Sequence, residues 1–182
     1  MSEGPEVQDW PVERLLLDST NPRLPESLDE RDQLALLRFF EQEYDLEELG
    51  WSMAEKGYFN EEPLLTVTDP IEESRRIVIE GNRRLAALRL LTDPRARDAI
   101  GKRLWYQLAE SAADQDLSSV PTRNYASKAD LLEYLGFRHV SGLLQWSADA
   151  KARFVHTLVI EHGYSFQKAA RVIGSRQDAI RR

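Results

Sequence analysis

Two short runs of β-forming residues, Leu64-Leu65-Thr66-Val67-Thr68 and Ile77-Val78-Ile79, lead directly into an uninterrupted helical segment. That succession narrows the possible folds more than any other feature of the chain. Glu80-Gly81-Asn82 ends the second strand and turns. Arg83 to Leu91 then contains no glycine or proline and carries Leu85, Leu88 and Leu91 at helical spacing, with Pro94 just past its end. Upstream, Leu15-Leu16-Leu17 reads as a short strand entering a turn at Asp18-Ser19-Thr20-Asn21-Pro22-Arg23, because proline keeps the residue before it out of the helical region. Residues 29–56 are predicted helical, with Leu34, Leu36, Leu37, Phe39 and Phe40 in one apolar stripe and Leu46, Leu49 and Met53 in a second. Gly57 suits the C-cap of that segment. Residues 1–12 show no period and are expected to form a loose arm. Within residues 95–125, Leu104-Trp105-Tyr106 fits either a strand or a helix end, and Val120-Pro121-Thr122 reads as extended. The reading is helical from Ser127 onward.

Several chemistries are excluded by composition. The 182 residues include no cysteine, which removes disulfides, thiolate metal sites and cysteine nucleophiles. Among the three histidines, His156 and His162 are six apart, the wrong spacing for one helix face, and no metal site is expected. No apolar run approaches the ~20 residues that span a bilayer. The acidic start, Met1 to Trp10, lacks a signal-like apolar stretch, so a cytoplasmic protein without membrane attachment is expected. The net charge of −7 is unevenly spread. Residues 1–62 hold 17 acids and 5 bases, 63–150 hold 12 of each, and 151–182 hold 7 bases and 2 acids. The basic end is either a solvated helical terminus or a phosphate-contacting surface, since such contacts depend on local charge.

The turn at Gly81 bears the strongest chemical signal. A helix start leaves backbone N–H groups free at the positive end of its dipole and so favours anions. Glycine there permits a sharp turn and keeps a side chain out of a ligand's path. Arg83 and Arg84 oppose the dipole, by ~0.3–1 kcal/mol each, unless an anion lies between them. Two readings stay open: the guanidiniums hold phosphate oxygens, or they pair with the acid-rich N-terminal segment. Neither a P-loop nor a G-x-G-x-x-G fingerprint is present.

Glu80-Gly81-Asn82-Arg83-Arg84-Leu85-Ala86-Ala87 resembles the Gly-Glu-Arg-Arg-x-Arg-Ala box of ParB N-terminal domains, in the ParB/sulfiredoxin superfamily. Asn21-Pro22-Arg23 is similar to the Asn-Pro-x-x-x-Arg start of these domains. Met53 to Val67, with Gly57 and Pro63, is similar to their Gly-x-x-x-Pro-hydrophobic strand. The resemblance covers roughly residues 12–182. It implies an α+β fold, a small mixed sheet with helices, over residues 12–125, followed by an all-helical module over 126–182. In that family the box grips the triphosphate of CTP. Carried over, Gly81, Asn82, Arg83, Arg84 and Ala87 would line the phosphates, and Gly57, Tyr58, Phe59 and Pro63 would lie near the nucleoside. Arg138 and His139, in Phe137-Arg138-His139-Val140-Ser141-Gly142, stand where the family has a second phosphate motif. For His139 alone, a surface or capping role is the bland alternative.

Two departures bear on activity. The glutamate after the box glycine, used by the family in nucleotide hydrolysis, is Asn82 here, and an amide cannot act as a general base. Glu80 is the remaining candidate for a catalytic carboxylate, so CTPase or other NTPase activity is expected to be weak or absent unless Glu80 substitutes. The second box arginine is Ala86. Sulfiredoxins have their catalytic cysteine at the position of Asn82, so their repair chemistry is excluded.

Toward the C-terminus, Ser147 suits an N-cap for a helix to His162, Ser165 caps the next, and Ser175 follows the turn at Gly174. Ala170, Gly174 and Ile180 have the small–turn–apolar spacing of a helix-turn-helix, and a plain helical hairpin is the alternative. In the former case Ser175, Arg176, Gln177 and Arg181 would face DNA. The last helix would stop two turns in at Arg182, so the natural chain is expected to continue, and ParB proteins dimerise through a later domain. The expected function is a nucleotide-gated DNA-binding protein using CTP or another nucleoside triphosphate with Mg2+, homodimeric at full length. Two alternatives stand: an ATP/ADP-dependent serine-type kinase of the same fold with Glu80 as base, and a DNA-binding protein with a vestigial pocket.

Overall fold

A computed structural model describes residues 4–21, 24, 32–131, 159–160, 163 and 165–167. Among them, five strands form one sheet in the order β1-β5-β3-β4-β2. The strands are β1 (Val7–Pro11), β2 (Leu15–Leu17), β3 (Leu64–Thr68), β4 (Arg76–Glu80) and β5 (Ser119–Tyr125). The sheet is mixed: β1/β5 and β3/β4 are antiparallel, β3/β5 and β2/β4 parallel. Five helices accompany it: α1 (Gln33–Glu43), α2 (Glu47–Lys56), α3 (Asn82–Thr92), α4 (Pro94–Ile100) and α5 (Arg103–Ser111). Short 3-10 turns occupy Val12–Arg14 and Lys128–Leu131. No helix among the described residues is long and apolar enough to cross a membrane.

Side-chain alternation divides the apolar residues between the two faces of the sheet. Leu64, Val78 and Val120 join the main core with residues of α1, α2, α3 and α5. Leu65 and Ile79 point the other way and form a small cluster with Leu131. Helix α3 is the centre of the main core. Leu85, Ala86, Ala87, Leu88 and Leu90 all have 0% exposure, so it is apolar nearly all round, as a buried helix must be. Ala86, standing where the resembling box has arginine, therefore lies where no guanidinium would fit.

Two sequence expectations need correction, and two others gain detail. Residues 1–12 are not all a loose arm, because Val7–Pro11 pairs along β5 in register from Val7↔Arg123 to Pro11↔Ser119. Thr122 Oγ1 donates to the Gln8 carbonyl at 2.9 Å, and the Arg76 guanidinium stacks 3.6 Å from the Trp10 ring centroid. Where one helical stretch is expected over 29–56, the described residues 32–56 hold two helices, broken at Tyr44–Leu46. Tyr44 turns extended and packs on Phe39 and Phe40, while Leu46 enters the core, and Arg83 donates to the Asp45 carbonyl at 3.0 Å from outside. Pro94 lies past the end of α3, as expected, and it also opens α4, with Asp93 accepting from the Arg95 amide at 2.9 Å as N-cap. Of the two readings for Leu104-Trp105-Tyr106 the helix end holds: it forms the first turn of α5, with Trp105 fully buried. The helices expected beyond residue 131, and so the helix-turn-helix, lie almost wholly outside the described residues.

Candidate functional site

The candidate site begins where β4 ends. Glu80 is the last strand residue, and Gly81 takes φ 106° and ψ 17°, a left-handed conformation that favours glycine. A Cβ on Gly81 would come 2.3 Å from Leu64 Cδ2, a methyl locked in the core. The glycine thus lets the turn close against β3 and start α3 at Asn82. Gly81 has no side chain to cap the helix, and the first turn contains no acid. The positive end of α3 is consequently unneutralised by its own residues. Gly81→Ala is expected to cost about 2–5 kcal/mol, combining ~1–2 kcal/mol for the left-handed backbone with ~1–3 kcal/mol of overpacking. Urea unfolding followed by circular dichroism would measure it, and a near-neutral result would contradict the closeness of Leu64.

Arg84 points from this turn toward the loop after α2. Its Nη1 donates to the Tyr58 hydroxyl at 3.0 Å and to the Glu62 carbonyl, and lies 3.4 Å from the Glu62 carboxylate. Its Nη2 is 3.8 Å from the carboxylate of Glu80, four positions back at the end of β4. Tyr58 donates to the Glu62 carbonyl at 2.6 Å. Burial pushes the Tyr58 phenol up to about 12, against the opposing pull of Arg84, so it remains a neutral donor throughout the physiological range. Arg83 turns the other way. It reaches the Asp45 carbonyl and lies over the Tyr44 ring, 5.7 Å from the centroid, and its Nε is buried with no hydrogen-bond partner. The two arginines therefore diverge around the helix start, toward the α2–β3 loop and the α1–α2 corner.

Asn82 lies inside the protein at 5% exposure. Its Oδ1 accepts from the Asp18 amide at 2.9 Å, and its Nδ2 donates to the carbonyls of Val78 at 2.8 Å and Ile79 at 3.4 Å. Both ends of the side-chain amide are committed to backbone groups, so this side chain is a structural tie beneath the turn. Ala87 is fully buried in the core. Gly57 ends α2 at φ 75°, and a Cβ there would come 3.0 Å from Gln115 Oε1, so this glycine faces residue 115. Phe59 is 53% exposed and Pro63 half-buried.

The structure thus brings together Tyr58, Glu80, Gly81 and Arg84, with Arg83 on the far side of the same turn. Arg138, His139, Ser175, Arg176, Gln177 and Arg181 lie outside the described residues. Sequence reasoning missed Asp18, Lys128, Glu62 and Asp45. An Asx-turn signal was present, since Asp18 Oδ1 accepts from the Thr20 amide at 2.9 Å. Nothing local to Asp18 points to Lys128, whose Nζ lies 2.8 Å from its carboxylate.

No protein-family model matches the sequence, and no curated protein matches it either. A solved structure of the C-terminally truncated chromosome-partitioning protein ParB from Caulobacter crescentus, complexed with CTP-gamma-S, superposes with a TM-score of 0.62. The identity is 19%, over 96% of this chain and 74% of that one. A second structure of the same protein, complexed to the centromeric parS site, has a TM-score of 0.38 at 19% identity, too low to weigh on the fold. The chain therefore has a ParB-like fold, a likeness established by backbone arrangement.

Proposed function

We propose that the chain binds a nucleoside triphosphate at the start of α3, with CTP as the first candidate, and that the bound nucleotide gates a DNA-binding C-terminal segment. The observation that carries this reading is the opening turn of α3. It has no side-chain cap and no acid, and divergent arginines flank it. A triphosphate fits these residues chemically. The free amides and the buried, unpartnered Arg83 Nε supply donors, and Arg84 supplies charge against which phosphate oxygens compete with Glu62 and Glu80. The likeness in fold to a protein solved with CTP-gamma-S agrees with the choice of nucleotide.

Asn82 cannot abstract a proton, and its side chain is tied to backbone atoms. That leaves Glu80, which is engaged with Arg84. We therefore propose binding with weak or absent hydrolysis. Mg2+ would arrive with the nucleotide, held by its phosphates. Arg138 and His139 are proposed as further phosphate ligands, and Ser175, Arg176, Gln177 and Arg181 as DNA contacts in a helix-turn-helix of a full-length homodimer. The proposed boundary between the two modules is residue 125.

Calorimetric titration with CTP, ATP, GTP and UTP in the presence of magnesium tests the reading. One triphosphate is expected to bind selectively. Each charge-assisted hydrogen bond contributes ~1.5–3 kcal/mol, so Arg83→Ala combined with Arg84→Ala should weaken binding roughly 100-fold or more. Selective binding of ATP would move the function toward an ATP-linked activity such as the serine-type kinase. The contacts of Arg84 with Glu62 and Glu80 favour a second reading, in which the pocket is vestigial and the arginines only brace the fold. No binding to the folded protein, with DNA affinity retained, would establish that one.

A further inference from the structure

Beneath the opening turn of α3, a chain of polar contacts runs away from the candidate site and ends where the chain leaves the sheet. Asn82, the first residue of α3, fixes the Asp18 amide through its Oδ1 at 2.9 Å. The Asp18 side chain is buried, with the residue at 3% exposure. Its Oδ1 accepts from the Thr20 amide at 2.9 Å and the Thr20 hydroxyl at 2.7 Å. Its Oδ2 receives Lys128 Nζ at 2.8 Å. The same ammonium donates to Thr20 Oγ1 at 2.7 Å and to the Thr20 carbonyl at 3.3 Å, so its three donors all point into the Asp18–Thr20 turn.

Lys128 opens the 3-10 turn Lys128–Leu131, directly after β5. Ser127 and Asp130 brace that turn, with the Ser127 amide and hydroxyl 2.9 Å and 3.0 Å from Asp130 Oδ2. Leu131, at 1% exposure, packs with Leu65 and Ile79. Asp18 therefore joins the path of the chain after Tyr125, through its carboxylate, to the residue that opens the anion-favouring turn, through its backbone amide. Apolar contacts tolerate small sliding, but hydrogen bonds weaken steeply with distance and angle. A displacement at Asn82 is thus felt at Lys128, and the reverse holds by linkage.

We propose that Asn82, Asp18 and Lys128 form a polar latch coupling the α3 helix start to the attachment of the chain beyond Tyr125. As a route for nucleotide gating it rests on the nucleotide reading; as a physical coupling it does not. Asn82 and Asp18 act in it as positioning residues. The latch holds the opening turn in place, so releasing Lys128 loosens that turn and weakens a ligand bound there.

The test uses the whole 182-residue chain with Lys128→Met, which keeps length and removes charge, and Lys128→Arg, which restores it. Hydrogen exchange without nucleotide is read by mass spectrometry. In Lys128→Met, faster exchange is expected at 126–131 and also at 85–88, the first hydrogen-bonded amides of α3, with 103–111 unchanged, and Lys128→Arg should recover most of the protection. Exchange confined to 126–131 overturns the latch whether or not any nucleotide binds. If CTP with magnesium binds the parent chain, Lys128→Met should raise its Kd about fivefold, the lower end of ordinary coupling, and an unchanged Kd overturns the proposal. Failure of every triphosphate to bind the parent chain defeats the nucleotide reading alone and leaves the exchange result to decide. Should Lys128→Met not fold, Thr20→Val removes the hydroxyl shared by Asp18 and Lys128 and should give the same pattern at smaller amplitude.

Discussion

Trp105→Ala is expected to destabilise the protein by about 3–5 kcal/mol, the range for truncating a buried tryptophan. Trp105 is fully buried and is the largest such side chain among the described residues. Its ring lies so close to α2 that a Cβ at Gly50 would come 2.6 Å from Cζ3, leaving no slack for neighbours to fill the void. Its indole N–H donates to Glu41 Oε1 at 3.3 Å, and the same oxygen pairs with Lys102 at 2.6 Å. Removing the indole takes one partner from a carboxylate that is 3% exposed. The midpoint of thermal unfolding should fall by roughly 10 °C for a chain of this size. The effect reaches the candidate site through α1 and α2, whose corner receives Arg83. A loss below about 1.5 kcal/mol by urea unfolding, outside the range for such truncations, would falsify this account of the core.

Asn82→Asp changes almost no volume and is nevertheless expected to cost about 3 kcal/mol at neutral pH. The amide nitrogen that donates to Val78 at 2.8 Å would be replaced by an oxygen facing that carbonyl and the carbonyl of Ile79. A carboxylate accepts only, and the slot is 5% exposed, so charge and lone pairs would be buried against lone pairs. The protonated acid can donate again. The folded state therefore favours the neutral form, and the deficit should shrink as pH falls and grow as it rises. Urea unfolding of both proteins at neutral and mildly acidic pH would show it. Equal stability at both values would mean that the Asn82 amide does not tie β4 to the Asp18 turn.

The elements that were legible in the sequence were those whose signal is local. Gly81 between a β-branched run and a glycine-free helical run marks the β4–α3 turn by itself. Gly57 marks the end of α2 for the same reason. Strand β1 was missed because Val7-Gln8-Asp9-Trp10-Pro11 is an edge strand, polar and ended by proline, whose partner lies in β5. The break between α1 and α2 was invisible because no glycine or proline marks it, and its support comes from Arg83. The start of α4 could also have been read from Asp93-Pro94, since a capping acid before proline is a helix-start pattern. Of the site, the residue types at the turn were legible. The direction of each arginine was not, because it depends on Tyr58, Glu62 and Asp45, distant partners that no periodicity announces.

Of the five described strands, β5 is the last to leave the ribosome, yet it lies between the first and the third. Val7 waits for Arg123, more than a hundred positions away, and Leu64 waits for Thr122. Until β5 emerges, β1 has no partner and one edge of β3 stays open, a template for wrong pairing. Closing such distant contacts late makes for slow folding. Synthesis that stalls ahead of Ser119 would forfeit both ladders together, and the resulting nascent chain is a natural client for chaperones rather than a smaller folded domain.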